Sequence, residues 1–202
     1  MRHVRTLALS VCLLSSAAFA DTDGSGGTSN VTITEIVASS GGEFDDNRFD
    51  YDILLNAVLA AELDAALADP DASLTVFAPN DLGFIRLAQD LGYDGEDEAG
   101  AWDFLVEALT DLGGGDPIPV LTDILLYHVA PEPINLLGFV RAVLRDESIE
   151  TLLDGATVDP FLFGLRDNDP EVDNPRLTFP LNVEASNGIV HTLTRVLLPV
   201  DL

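Results

Sequence analysis

Leu181-Asn182-Val183-Glu184-Ala185-Ser186-Asn187-Gly188-Ile189-Val190-His191 is the stretch on which the fold turns. Two runs rich in apolar and β-branched residues flank Asn187-Gly188, and both turn residues suit φ > 0. The stretch therefore predicts an antiparallel hairpin closed by a type I′ turn. A two-residue turn there also predicts register: Ala185 faces Val190, Val183 faces Thr192 and Leu181 faces Thr194, with Glu184 opposite His191 on the other face. In that register His191 with Glu184 reads either as half of an acid–base or metal pair or as a cross-strand pair steadying the hairpin by a few tenths to about 1 kcal/mol. Asp154-Gly155 gives a second hairpin signal, between Glu150–Leu153 and Ala156–Val158.

Upstream of the hairpins the apolar period lengthens from two to 3.6. Phe84, Leu87, Ala88 and Leu91 fall at i, i+3, i+4 and i+7, behind an Asn80-Asp81 cap and ahead of Gly92. Trp102, Leu105, Val106, Leu109 and Leu112 make a second stripe, stopped by Gly113-Gly114-Gly115. Leu121, Ile124, Leu125 and His128 make a third, ended by Pro131 and Pro133. Asp52 to Ala68 reads as one buried helix ended by Asp69-Pro70, and Asn135 to Arg145 as a short one. Leu74 to Ala78 is a short β-type run closed by Pro79, and Asp94 to Gly100 an acidic loop. Helices come mainly early and strands mainly late, so the fold class is α+β.

Four segments stand out in order: Thr75-Val76-Phe77-Ala78-Pro79-Asn80-Asp81, Leu121-Thr122-Asp123-Ile124-Leu125-Leu126-Tyr127-His128-Val129, Leu152-Leu153-Asp154-Gly155-Ala156-Thr157-Val158, and Glu184-Ala185-Ser186-Asn187-Gly188-Ile189-Val190-His191. With Val196-Leu197-Leu198-Pro199 behind them, the chain resembles a fasciclin (FAS1) domain over residues 31 to 202. The resemblance implies a β-wedge packed against several α-helices and a role in extracellular adhesion or matrix attachment. It also implies a part in cell-surface binding for Tyr127 and His128. Residues 94 to 118 and 160 to 180 look longer than the family's usual connections, so a specificity particular to this chain is expected on one of these two segments.

The first twenty residues read as an export signal. Arg2, His3 and Arg5 precede an apolar run from Thr6 to Ala18, and Ala18-Phe19-Ala20 offers a cleavage site. Asp21 to Asn30 reads as a flexible leader. The expected location is secreted, either periplasmic or outside the cell, with no membrane span after cleavage. Cys12 would leave with the signal, removing disulfides, thiol nucleophiles and thiolate metal ligands from the mature chain.

All nine basic residues are arginine, set against 35 acids, for a formal net charge of −26. Nucleic acid needs a basic footprint and is excluded as a partner; a partner is expected among extracellular or envelope proteins or polysaccharides. Self-repulsion across such a surface predicts that the protein melts at higher temperature in roughly 1 M salt, where the screening length is about 3 Å, than in dilute buffer. Disorder is excluded because 47% of residues are apolar, and they are periodic.

Catalysis has little to stand on. There is no Gly-x-Ser-x-Gly elbow, and Ser186 lies in a hairpin. Loss of His3 leaves two histidines, too few for a three-histidine zinc site. His128 lies on an apolar stripe and reads either as an adhesion determinant with Tyr127 or as a neutral, hydrogen-bonded core residue. No cofactor is required, but Ca²⁺ is a candidate. Asp167, Asp169, Glu171 and Asp173, with Asn168 and Asn174, supply hard oxygens in a short loop, though Val172 stands where an EF-hand needs glycine. Asp45, Asp46, Asn47 and Asp50 form a second acidic cluster. The functional expectation is an adhesion or surface-binding domain acting by non-covalent recognition; the alternative is a Ca²⁺ or small-ligand carrier.

Overall fold

The computed structural model describes residues 30–170 and 172–200. The expected signal (1–20), nearly all of the leader (21–30), Cys12 and the Ca²⁺ candidate Glu171 lie outside the described residues. In chain order the elements are α1 (Ile33–Ser40), α2 (Asp52–Ala60), α3 (Asp64–Leu67), β1 (Leu74–Pro79), α4 (Asp81–Asp90), α5 (Glu98–Leu112), α6 (Ile118–Tyr127), β2 (Val129–Ala130), α7 (Leu136–Arg145), β3 (Ile149–Glu150), β4 (Thr157–Phe161), β5 (Gly164–Arg166), β6 (Leu177–Ala185) and β7 (Gly188–Leu193).

A four-stranded sheet, ordered β2-β1-β7-β6, runs through the centre, and a three-stranded sheet β3-β4-β5 lies apart from it. β1 and β7 are parallel and the other pairings are antiparallel. The central strands divide their side chains between two cores, as the period-two alternation of a strand requires. Val76, Ala78 and Val190 enter a helical core with Ile53, Leu105 and Leu125. Phe77 and Leu193 point the other way, into a second core with Tyr127, Phe139, Val158 and Leu165. A sheet covered on both faces explains why β1 reads as a nearly continuous apolar run rather than an alternating one.

The expected cap forms at Asn80, and Asn135 starts its helix in the same way. Asn80 and Asn135 accept from the backbone N–H of Gly83 and Gly138 at the starts of α4 and α7. Three other expectations are corrected. The helix expected over 52–68 breaks after Ala60, where Glu62 adopts φ 55° and the N–H of Leu63 returns to Val58 O; this left-handed stop needs no glycine. The acidic stretch 94–100 is not all loop, because Asp97 caps α5 through Gly100 N–H and α5 begins at Glu98.

The third correction concerns the deciding hairpin. It forms, but Ala185 pairs with Gly188 and Glu184 with Ile189, so Val183 faces Val190 and Glu184 does not face His191. The turn is Ser186-Asn187. Its cause is tertiary: the Asn187 side chain is buried, accepts from Ile33 N–H and donates to Leu67 O and Asp69 O. Three bonds to two other segments outweigh the local preference for φ > 0 at this residue. Gly188 is needed for a close approach, since a Cβ there would lie 2.2 Å from Leu74 O.

Candidate functional site

Seven arginines fall among the described residues, and four of them, Arg86, Arg166, Arg176 and Arg195, line one open cleft of about 580 Å³. Phe161, Asp173, Asn174 and Thr194 complete its lining. In a chain this acidic, that concentration of positive charge stands apart.

The scaffold holds each arginine from the backbone. Arg166 ends β5. The β4–β5 hairpin turns tightly enough that a Cβ on Gly164 would meet the Phe161 ring at 2.3 Å, so glycine lets that ring fold over the turn. Arg176 sits between both sheets: its N–H donates to Thr194 Oγ1 and its carbonyl accepts from Thr194 N–H at 3.0 Å, while Pro175 O accepts from Leu165 N–H. Its guanidinium lies 5.9 Å from the Phe161 ring centroid, a cation–π arrangement. Arg86, on α4, donates to Thr194 O at 3.1 Å. Arg195 pairs with Asp90 and, at 3.7 Å, with the exposed Asp173.

Arg166 and Arg176 are exposed and have no carboxylate within ion-pair distance among the described residues. Two anchored cations flank two unpaired ones beside an aromatic face. Chemically the cleft suits an anionic group on a larger partner, since guanidinium binds carboxylate and sulfate in a planar, two-point manner. Five of its eight lining residues come from the segment 160–180, part of which is the β4–β5 hairpin rather than loop. The cleft was not legible in the sequence; the scarcity of basic residues was the available signal.

Tyr127 and His128 are both buried. The Tyr127 hydroxyl donates to Thr157 O at 3.0 Å, and burial raises its pKa. His128 Nε2 accepts from Leu197 N–H at 2.8 Å, which places the ring proton on Nδ1, and Nδ1–H donates to Ile124 O at 2.7 Å. Burial pushes its pKa down to about 4, so the ring is neutral. His191 has the opposite tautomer: Nε2–H donates to Ile134 O, Nδ1 accepts from Asn182 N–H, and the ring stacks on Phe77. Both rings are fully committed and have no lone pair left for a metal.

Two acids of the loop after β5 are used internally. Asp167 accepts from Leu198 N–H and Asp169 N–H, and burial pushes its carboxyl up to about 6. Asp169 accepts from Val172 N–H, and Asp173 points outward toward Arg195. The carboxylates that converge are elsewhere, at Asp45, Asp50, Asp52, Asp81 and Glu98.

The fasciclin domain family model matches residues 49–199. Among solved structures the fold is similar to a FAS1 domain pair from the insect cell adhesion molecule fasciclin I, with a TM-score of 0.57 and 15% identity. That match covers 84% of this chain and 51% of the other, so this chain spans about half its length. No curated protein matches the chain. Among the described residues no helix is long and apolar enough to cross a membrane.

Proposed function

We propose that this chain, which belongs to the fasciclin domain family, is a secreted adhesion or surface-binding domain whose arginine cleft holds an anionic group of an extracellular or envelope partner. Membership supports a general adhesion-like role, since fasciclin domains occur in cell-adhesion proteins. The observation that carries the finer reading is the gathering of four of the seven described arginines in one cleft that Phe161 also lines. The partner this chemistry fits is an acidic polysaccharide. Its carboxylates meet the guanidinium groups, and a sugar face stacks on the aromatic ring.

The overall negative charge does not forbid this. At about 0.15 M salt the screening length is about 8 Å, so remote acids are attenuated while a cation in contact is not. Tyr127 and His128 contribute from inside, by fixing α6 against β4 and the segment after β7; the contact surface is the cleft.

The test is binding of the full chain to immobilised polygalacturonate, with neutral dextran as reference. The Arg166→Ala/Arg176→Ala pair should weaken binding at least tenfold. Arg141→Ala/Arg145→Ala, which removes the same charge from α7, should leave it within about twofold, as expected for remote exposed charges. Equal retention on dextran, or equal losses in the two double variants, would sink the proposal.

A further inference from the structure

Five carboxylates meet on the side of the helical core where α2, α4 and α5 begin. Asp45 and Asp50 come from the 41–51 loop; Asp52, Asp81 and Glu98 are the first residues of the three helices. One oxygen each from Asp45, Asp50 and Glu98 lies within 4.8 Å of the others, and the same holds for Asp50, Asp52 and Asp81. Asp50 belongs to both groups, so the two form one cluster.

Four of the five are buried, with exposures of 8% for Asp50, 1% for Asp52, 0% for Asp81 and 2% for Glu98. No arginine pairs with any of them among the described residues; Arg48, on the rim, pairs instead with Glu96. Each of three carboxylates is held by one oxygen and left open at the other. Asp50 Oδ2 accepts from Asn47, Asp52 Oδ1 from Gly42 N–H and Glu98 Oε2 from Asp45 N–H. Asp50 Oδ1, Asp52 Oδ2 and Glu98 Oε1 are buried with no hydrogen-bond partner. Asp81 is different, because both its oxygens accept from the N-terminal N–H groups of α2, at Asp52 and Ile53.

Buried charge without a counter-ion and buried oxygen without a donor are each costly, and here they coincide. Helix N-termini offset part of the charge but give these three oxygens no hydrogen bond. A cation satisfies both needs at once. We propose that Asp45, Asp50, Asp52, Asp81 and Glu98 form a binding site for one divalent cation, Ca²⁺. All donors are hard oxygens in an irregular cage, which suits the larger, more adaptable coordination shell of Ca²⁺ better than the strict octahedron of Mg²⁺. Zn²⁺ prefers nitrogen and sulfur, and both described histidines are committed elsewhere. A surface cavity of about 380 Å³, lined by Asp45, Asp46, Arg48, Glu96, Asp97 and Glu98, gives an entrance and room for water ligands. Bound there, the ion ties the 41–51 loop to three helix starts. The site is independent of the arginine cleft and survives if that reading fails.

The experiment is calorimetry and thermal melting of the full chain, stripped with chelator, against CaCl₂ at constant ionic strength. One saturable site is expected, with a melting temperature that rises as it fills. Asp50→Asn and Glu98→Gln each remove charge from a repelling cluster, so both variants fold without the ion, and each should weaken binding at least tenfold. Asp173→Asn, in the loop after β5, should change affinity less than twofold. Absence of saturable binding up to about 10 mM Ca²⁺, beyond the weak end for extracellular modules, would overturn the proposal. So would undiminished binding in Asp50→Asn and Glu98→Gln, or a melting shift that NaCl of equal ionic strength reproduces.

Discussion

His128 and Glu98 are about equally hidden from water, at 3% and 2% exposure, yet they are opposites. Each ring nitrogen of His128 has a backbone partner, and the ring stays neutral. Glu98 has one oxygen bonded and one orphaned, among like charges. The difference teaches how to read a buried polar group. One whose bonding capacity is used up by the fold belongs to the architecture. One whose capacity is left open has a further partner or destabilises the fold.

The contrast makes its largest prediction at the histidine. His128→Ala leaves Ile124 O and Leu197 N–H unpaired and opens a cavity, so it should lower unfolding free energy by about 3–5 kcal/mol in denaturant titration. It should affect stability far more than partner binding by the fraction that remains folded. A loss no greater than that of a surface substitution would erase the contrast.

Glu98→Gln should act in the opposite direction. In chelator it removes a repelling charge, and its amide can donate where the carboxylate could not. Unfolding free energy should rise by on the order of 1 kcal/mol. A destabilised variant in chelator would place Glu98 with the architecture after all.

A further effect is in pH, and its two limbs have opposite signs. His128 titrates near 4 when folded against 6.5 ordinarily, because burial disfavours its charged form. The unfolded chain takes up the proton first, so this stability is complete above about 6.5 and drains as pH falls towards 4. Burial, and then the neighbouring Asp50, push the Asp81 carboxyl up to about 9 from 3.8. There the folded state keeps a proton that the unfolded chain has lost, so stability drains as pH rises from about 4 towards 9. Melting temperatures in chelator should therefore change little between about 4 and 6.5, where the two slopes offset each other, and decline from there towards 9, where only the Asp81 slope remains. A curve that climbs steadily to pH 9 would show that the carboxylate cluster is not under strain.

Much of the fold was legible because its signals are local. The Phe84–Leu91 stripe, the Asn80 cap and the Asp154-Gly155 hairpin need only their own neighbourhoods. Val76, Leu125 and Val190, from three separate elements, do share one core. The hairpin register was not legible, because Asn187 is held by Ile33, Leu67 and Asp69 and not by its own turn. Asp45, Asp46, Asn47 and Asp50 read only as a second acidic cluster, and the acidic loop around Asp169 looked richer in ligands. Only hydrogen bonding shows that Asp167 and Asp169 of that loop are spent on backbone N–H groups.

By itself the sequence determined the class of the fold, the order of its elements, its acidic character and its family, because periodicity, capping, turn residues and charge are properties of neighbouring residues. Tertiary structure alone decided that β1 lies parallel to β7, that Arg86, Arg166, Arg176 and Arg195 share a cleft, and that Asp45, Asp50, Asp52, Asp81 and Glu98 share a cage. These are contacts between segments far apart in the chain. They form where packing the two cores brings the backbones together, and no local pattern records which residues will meet.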